Sequence, residues 1–89
     1  MKVLEEGRDK IGRLYKLEDW NENSFLTRYI VTMESGKKRH ETLYFCEFNA
    51  FDEANRAFAL LLLGIKKPED YDFRRDRNGE SVRYGDENR

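Results

Sequence analysis

Residues 49–65 read NAFDEANRAFALLLLGI, and this segment predicts the one helix around which the rest of the chain is organised. Asn49 is placed to cap its first turn, and Asp52 and Glu53 put negative charge where the free backbone N–H groups lie. Alanine and leucine, which are strong helix formers, fill the middle of the segment. Gly64, followed by two lysines and a proline, predicts where the helix ends.

The predicted helix carries more apolar surface than one small sheet covers. One stripe at i, i+3 and i+4 spacing suits such a sheet and consists of Phe51, Ala54, Phe58, Leu61 and Ile65. Three further leucines point elsewhere, which leaves the second half of the helix apolar on nearly all sides; they are Leu60, Leu62 and Leu63. A second covering surface is therefore expected, either elsewhere in this chain or on a partner.

Three segments ahead of the helix have the composition of β-strands. Residues 11–20 carry large apolar side chains without clean alternation, whereas residues 24–34 alternate and are rich in β-branched and aromatic residues. Residues 37–48 follow a Ser35-Gly36 turn and become apolar on both faces near their end. This order predicts an α+β fold, βββα, in which a three-stranded antiparallel sheet packs on one helix.

The register of the predicted hairpin between the second and third strands depends on the length of its loop. A two-residue loop would place Tyr29 opposite Thr42. A three-residue loop would shift the pairing and put Leu43 and Phe45 on the face of Tyr29. The sequence leaves both registers open.

The chain divides into three parts by composition. Residues 1–10 are mostly charged and are expected to form an N-terminal arm, residues 11–67 form the βββα domain, and residues 68–89 form a charged C-terminal extension. The whole chain has 89 residues, which suffices for one modest core. No internal repeat and no second domain is expected.

A second hairpin is predicted inside the C-terminal extension. The Asn-Gly pair at residues 78–79 is the pair that a type I′ turn prefers. Folding about this turn would set Phe73 across from Tyr84. It would also set Arg77 across from Glu80.

Charge and cysteine content limit the compartments and binding partners that we expect for this chain. The 17 basic and 18 acidic side chains give a net charge of −1, so the chain as a whole does not attract nucleic acids or anionic membranes over long distances. One cysteine excludes an internal disulfide and fits a reducing compartment. The charged N-terminus is unlike a secretory signal, and no apolar run approaches the roughly 20 residues that span a bilayer. The sequence predicts a soluble, cytoplasmic protein that does not bind membranes.

Side chains that often carry catalysis occur here without the partners that catalysis needs. His40, the only histidine, lies among basic residues, and Cys46 lies in an apolar strand with no cation to lower its pKa. No metal-ligand spacing, glycine-rich phosphate loop or nucleophile elbow is present. We therefore expect a protein that is not an enzyme, with no catalytic residues, no metal site and no cofactor.

The chain has more apolar residues than a small core can bury, and this excess favours a protein-binding function. Aromatic residues make up 13% of the chain, more than a core with one helix easily hides, unless the arm and the C-terminal hairpin cover the surplus. We expect a small adaptor or inhibitor, of the kind that a phage or mobile element encodes, which binds another protein or self-associates. The predicted partner-binding residues are Leu62, Leu63, Phe73 and Tyr84, with Arg74, Arg75 and Arg77 at a polar rim.

Nucleic-acid binding is the alternative function. Its predicted contacts are Arg28, Lys37, Lys38 and Arg39. The segment TRYIVTMESGKKRHETLYFCEFNAFDEANRAF is similar in layout to AP2-type and integrase-type DNA-binding domains, which read the major groove with a three-stranded sheet. The resemblance implies that the sheet and this basic hairpin bind DNA or RNA. Three glutamates in the same hairpin would repel phosphates.

Overall fold

A six-stranded antiparallel sheet and one helix make up the described part of the molecule. The computed structural model describes residues 1–21, 28–35, 42–77 and 80–84. The strands are β1 (Lys2–Arg8), β2 (Leu14–Asp19), β3 (Tyr29–Ser35), β4 (Thr42–Phe48), β5 (Arg74–Arg77) and β6 (Glu80–Arg83). They follow one another in the sheet in the order β1-β2-β3-β4-β5-β6. The helix α1 (Phe51–Leu62) and a short 3₁₀ turn (Pro68–Asp70) lie between β4 and β5.

The α+β class, with an antiparallel sheet and one helix, is confirmed, but the predicted number of three strands is wrong. One additional strand comes from the predicted N-terminal arm, because Lys2–Arg8 pairs along β2. The register of this pairing shifts between Val3 and Glu5, as at a β-bulge, so the strand lacks the regular alternation that sequence patterns detect. Its many charges suit an edge strand, since they discourage pairing with other chains.

The two remaining strands come from the C-terminal extension. Arg77 pairs with Glu80, and the Tyr84 backbone N–H donates to the Phe73 carbonyl at 2.9 Å, as the predicted hairpin requires. The Asn-Gly pair at its turn lies outside the described residues. Pairing of Tyr44 with Arg75 joins this hairpin to β4, so it extends the main sheet.

The register between β3 and β4 differs from both predicted registers. Tyr29 pairs with Phe48 and Ser35 pairs with Thr42, so the charged residues before position 42 contribute no pair to the described ladder. The connection, residues 36–41, lies outside the described residues, as do residues 24–27 of the predicted second strand. Leu43 and Phe45 lie on the face opposite Tyr29, contrary to the three-residue register.

The hydrophobic core lies between α1 and one face of the sheet. Its members on the strands, the helix and the C-terminal segment are Tyr15, Leu17, Val31, Met33, Tyr44, Cys46, Ala54, Phe58, Leu61 and Phe73. Each large apolar side chain buried in this way contributes roughly 1.5–3 kcal/mol relative to exposure. Of the predicted helix stripe, Ala54, Phe58 and Leu61 are buried, whereas Phe51 and Ile65 are exposed.

The helix ends where the sequence predicts but begins with a different cap. Ala50 occupies the N-cap and makes no side-chain capping bond, so the predicted cap by Asn49 is wrong. At the other end Gly64 has φ +76°, and its backbone N–H donates to the Leu61 carbonyl. The N–H of Ile65 donates to the Leu60 carbonyl at 2.9 Å, which completes a Schellman motif.

Candidate functional site on the open face of the sheet

The face of the sheet opposite α1, which we call the open face, carries a groove of about 460 Å³. Alternation along β2, β3 and β4 sends every second side chain to this face. A groove of this size falls in the range of about 300–1,000 Å³ that ligand-binding clefts occupy. The open face is therefore the candidate binding surface.

Large apolar side chains surround this groove. Ile30 and Thr32 lie on the central strand β3 and are only 6% and 7% exposed, so they form the floor. Around them Trp20 is 41% exposed, Leu43 50% and Met1 48%. Single exposed apolar residues are common on protein surfaces, but several around one concave site form an apolar patch.

Trp20 is held in position from two sides. Its indole N–H donates to Glu18 Oε1 at 2.9 Å, and the Glu18 side chain is almost fully buried. The guanidinium carbon of Arg28 lies 6.0 Å from the centre of the indole ring, within cation–π range. Arg28 Nη2 lies 2.8 Å from Glu47 Oε1 in an ion pair. A preorganised tryptophan loses little conformational entropy on binding, which favours it as an anchor at an interface.

Charged side chains at the groove are of both signs. Lys16 and Arg28 are the cations, and Glu18 and Glu34 are the anions. Because Arg28 is already paired with Glu47, the described groove offers no concentration of free positive charge for a phosphate backbone. Its electrostatics suit a partner that itself carries both signs.

The structure places the predicted apolar contact residues in different environments. Leu62 is half-buried against the core, and Leu63 is 65% exposed beyond the helix. A Cβ built at Gly7 would lie 3.1 Å from the Leu62 methyl carbons, so glycine at position 7 leaves room for that leucine. Phe73 is 1% exposed and belongs to the core, while Tyr84 is half-buried with its ring centre 5.0 Å from that of Tyr44.

The predicted polar rim is divided as well. Arg74 is exposed and lies 3.1 Å from Asp72, which also contacts Arg83 at 3.1 Å. Arg75 is half-buried, and the side chain of Arg77 lies outside the described part of the chain. The described members of the predicted site therefore do not share one surface: Phe73 is in the core, Leu63 follows the helix, and Arg74 lines a hollow beside Phe45.

Only one of the predicted nucleic-acid contacts can be located. Arg28 lies at the end of the groove in its ion pair with Glu47. Lys37, Lys38, Arg39 and the histidine at position 40 lie outside the described residues. The basic hairpin stays a prediction.

Cys46 and Tyr15 are buried titratable residues of the core, and their raised pKa values favour a structural role. Burial raises the pKa of the Cys46 thiol to about 11, so at neutral pH the thiol is protonated and a poor nucleophile. Burial also raises the pKa of the Tyr15 hydroxyl to about 12, and that hydroxyl has no hydrogen-bond partner among the described residues. Within the same residues, no cluster of three or more potential metal ligands occurs. No described helix is long and apolar enough to cross a membrane.

Comparison with known protein families, curated proteins and solved structures found no match to this chain. Sequence reasoning missed the open face, although Leu43 and Phe45 alternate with the core residues Tyr44 and Cys46. Residues 43–48 are apolar on both faces, and a single helix can cover only one face of a sheet. This mismatch was the signal available in the sequence.

Proposed function

We propose that this chain is a small, non-enzymatic protein-binding module, an adaptor or inhibitor that acts by covering a surface of a partner protein with its open face. The observation that carries the proposal is the groove, with Trp20 and Leu43 exposed at its walls. Removing a half-exposed side chain of this size from water contributes about 1 kcal/mol. Several such contacts with one fixed aromatic residue are sufficient for a specific interface.

Two leucines provide a matched test of this surface. Leu43 is 50% exposed on the open face, and Leu63 is 65% exposed next to the helix end. Replacement of either by glutamate adds the same charge to an exposed site. The immobilised protein is used to select peptides from a displayed library, and their affinities are measured with the only tryptophan, Trp20, as fluorescent reporter. We expect Leu43→Glu to weaken binding at least tenfold and Leu63→Glu to leave it unchanged.

The opposite pattern would contradict the proposed surface. Peptides that bind Leu43→Glu normally and Leu63→Glu weakly would assign recognition to the helix end. A library that yields no peptide above background would remove the support for a protein-binding function.

Salt dependence separates this function from nucleic-acid binding. Affinity that arises from apolar burial changes little between low and high salt, whereas phosphate binding weakens steeply. Labelled single-stranded and double-stranded oligonucleotides are titrated in parallel. Strong oligonucleotide binding that disappears when Lys37, Lys38 and Arg39 are replaced by serine would favour the nucleic-acid function instead.

A further inference from the structure

The open face holds a buried carboxylate. Glu18 is 8% exposed, although it lies on β2 among the residues that line the groove. Its direct ladder partners are Val3 on β1 and Ile30 on β3, so the Glu18 side chain lies between two aliphatic side chains. A glutamate is almost never buried in this way unless another group compensates its charge.

Hydrogen bonding compensates this carboxylate only in part. Glu18 Oε1 accepts the Trp20 indole N–H at 2.9 Å, and this is the hydrogen bond that the described residues give it. The same residues place no cation within ion-pair distance of Glu18. A carboxylate has about four acceptor positions, so one uncharged N–H donor leaves most of them without a partner.

The described side-chain charges of the groove do not cancel. Arg28 is neutralised by Glu47, which lies 2.8 Å away and does not itself line the groove. The remaining charges on the groove are those of one cation, Lys16, and two anions, Glu18 and Glu34. One negative charge is therefore left over, and Glu18 is the more deeply buried of the two anions.

The neighbours of the carboxylate suit a long basic side chain. Ile30 lies next to Glu18 on β3 and forms part of the groove floor. Phe45 and Leu43 lie further along the open face on β4. Lysine and arginine pack their methylene stems along apolar surface and carry their charge at the tip. A carboxylate at one end of an apolar floor is complementary to such a side chain.

We propose that the groove binds a lysine or arginine side chain of the partner, with the charged tip at Glu18 and the methylene stem over Ile30 towards Phe45. The inference rests on the proposed function, because it names the chemical class that the same surface recognises. Hydrogen bonds between charged groups are about twice as strong as those between neutral groups, so this contact selects a cation over an uncharged polar group. An anionic group at the same position is repelled.

Replacement of Glu18 by glutamine separates charge recognition from the positioning of Trp20. Glutamine keeps an oxygen that accepts the indole N–H and has nearly the same shape, but it carries no charge. Glu34→Gln is the matched control, because it removes one negative charge from the same groove. Glu34 lies four residues beyond Ile30 on β3, roughly 13 Å away, where screening by salt weakens its effect on a cation at Glu18.

A small cation tests the site directly. n-Butylguanidinium chloride is titrated into isotope-labelled full-length protein at constant chloride concentration, and the chemical shift of the Trp20 indole N–H is followed. n-Butanol and sodium butyrate are the neutral and anionic controls. We expect saturable binding of the cation in the millimolar range, with the two controls weaker by about tenfold or more. Glu18→Gln should weaken binding of the cation by about tenfold, and Glu34→Gln by less than about twofold.

The stability of Glu18→Gln shows whether the carboxylate is already compensated within the chain. A buried charge without an ionic partner destabilises the folded state, so its removal should leave the urea midpoint unchanged or raise it. A large decrease in the midpoint would show that the chain itself pairs with this carboxylate and would overturn the inference. Equal affinity of wild type and Glu18→Gln for n-butylguanidinium would overturn it as well, as would equal affinity of the wild type for butyrate.

Peptide selection distinguishes failure of this inference from failure of the proposed function. Peptides selected on the wild-type protein should share a lysine or arginine at one position, and peptides selected on Glu18→Gln should not. Selected peptides that depend on Leu43 but lack a shared basic residue would keep the proposed function and overturn this inference. Binding of n-butylguanidinium at Glu18 by a protein that selects no peptide would support the cation site and remove the support for protein binding.

Discussion

Replacing Phe73 with alanine tests whether the C-terminal hairpin is part of the core. The Phe73 side chain is 1% exposed and is among the largest fully buried side chains. Its ring centre lies 6.4 Å from that of Tyr71 in an edge-to-face contact. Removing a buried phenylalanine ring leaves a cavity and costs about 3–5 kcal/mol.

This loss is large relative to the total stability of such a domain. For 89 residues the free energy of unfolding is roughly 4–13 kcal/mol, so Phe73→Ala removes a substantial part of it. Leu63→Ala is the matched control, because Leu63 is 65% exposed and its truncation should cost less than about 0.5 kcal/mol. If the alanine variant is unfolded, Phe73→Leu should fold with a smaller loss.

Urea denaturation followed by circular dichroism and by Trp20 fluorescence measures both variants. We expect a large decrease in the midpoint for Phe73→Ala and almost none for the control. A decrease in the free energy of unfolding of less than about 1 kcal/mol for Phe73→Ala would refute the reasoning, because removing a fully buried ring destabilises a protein by more than this. It would mean that residues beyond the helix are an independent extension.

Further predictions concern pH and two turns. Burial raises the pKa of the Cys46 thiol from 9.0 to about 11 and that of the Tyr15 hydroxyl from 10.0 to about 12. The folded state therefore holds these protons more tightly than the unfolded state, and stability should fall as the pH rises above about 9. Urea midpoints across alkaline pH measure this fall, and Cys46→Ala should reduce it; an unchanged slope would contradict the assignment. Gly64→Ala should cost roughly 1 kcal/mol in a thermal melt, because Gly64 has φ +76°, and an unchanged melting temperature would argue against the left-handed cap. Asp9→Ala should cost roughly 1–2 kcal/mol, since Asp9 Oδ1 accepts the Arg13 backbone N–H at 2.9 Å and Oδ2 accepts Arg13 Nε at 2.7 Å. A urea midpoint equal to that of the wild type would show that this turn is held by other contacts.

Local sequence signals predicted the parts of the fold that local contacts determine. The end of α1 follows from Gly64, and the register of β5 with β6 follows from the Asn-Gly pair at residues 78–79. Both depend on residues close together in the chain. The residues within such a cap or turn specify its backbone conformation.

Local sequence patterns did not predict the long-range pairing of the strands. Strand β1 carries four charges among seven residues and a shift between Val3 and Glu5, so its alternation is obscured. The pairing of Tyr29 with Phe48 depends on how many residues the connecting loop takes up, which composition does not specify.

The candidate site was missed for a related reason. The sequence predicted Phe73 and Tyr84 as partner contacts, but the pairing of the hairpin with β4 places the Phe73 side chain in the core. Trp20 follows β2, whereas Leu43 and Phe45 lie on β4, so these side chains come together only once the sheet register is known. The excess of apolar residues is visible in the sequence, but the register of the strands determines on which face of the sheet these residues are exposed.

The most direct test of the open face as the binding surface is backbone and indole chemical-shift mapping of isotope-labelled protein. Spectra are compared with and without a selected peptide. We predict that the shifts concentrate at Glu18, the Trp20 indole N–H and Thr32, while Leu63 and Ile65 do not change. Shifts confined to Leu63, Ile65 and the end of α1 would contradict the account and assign binding to the helix.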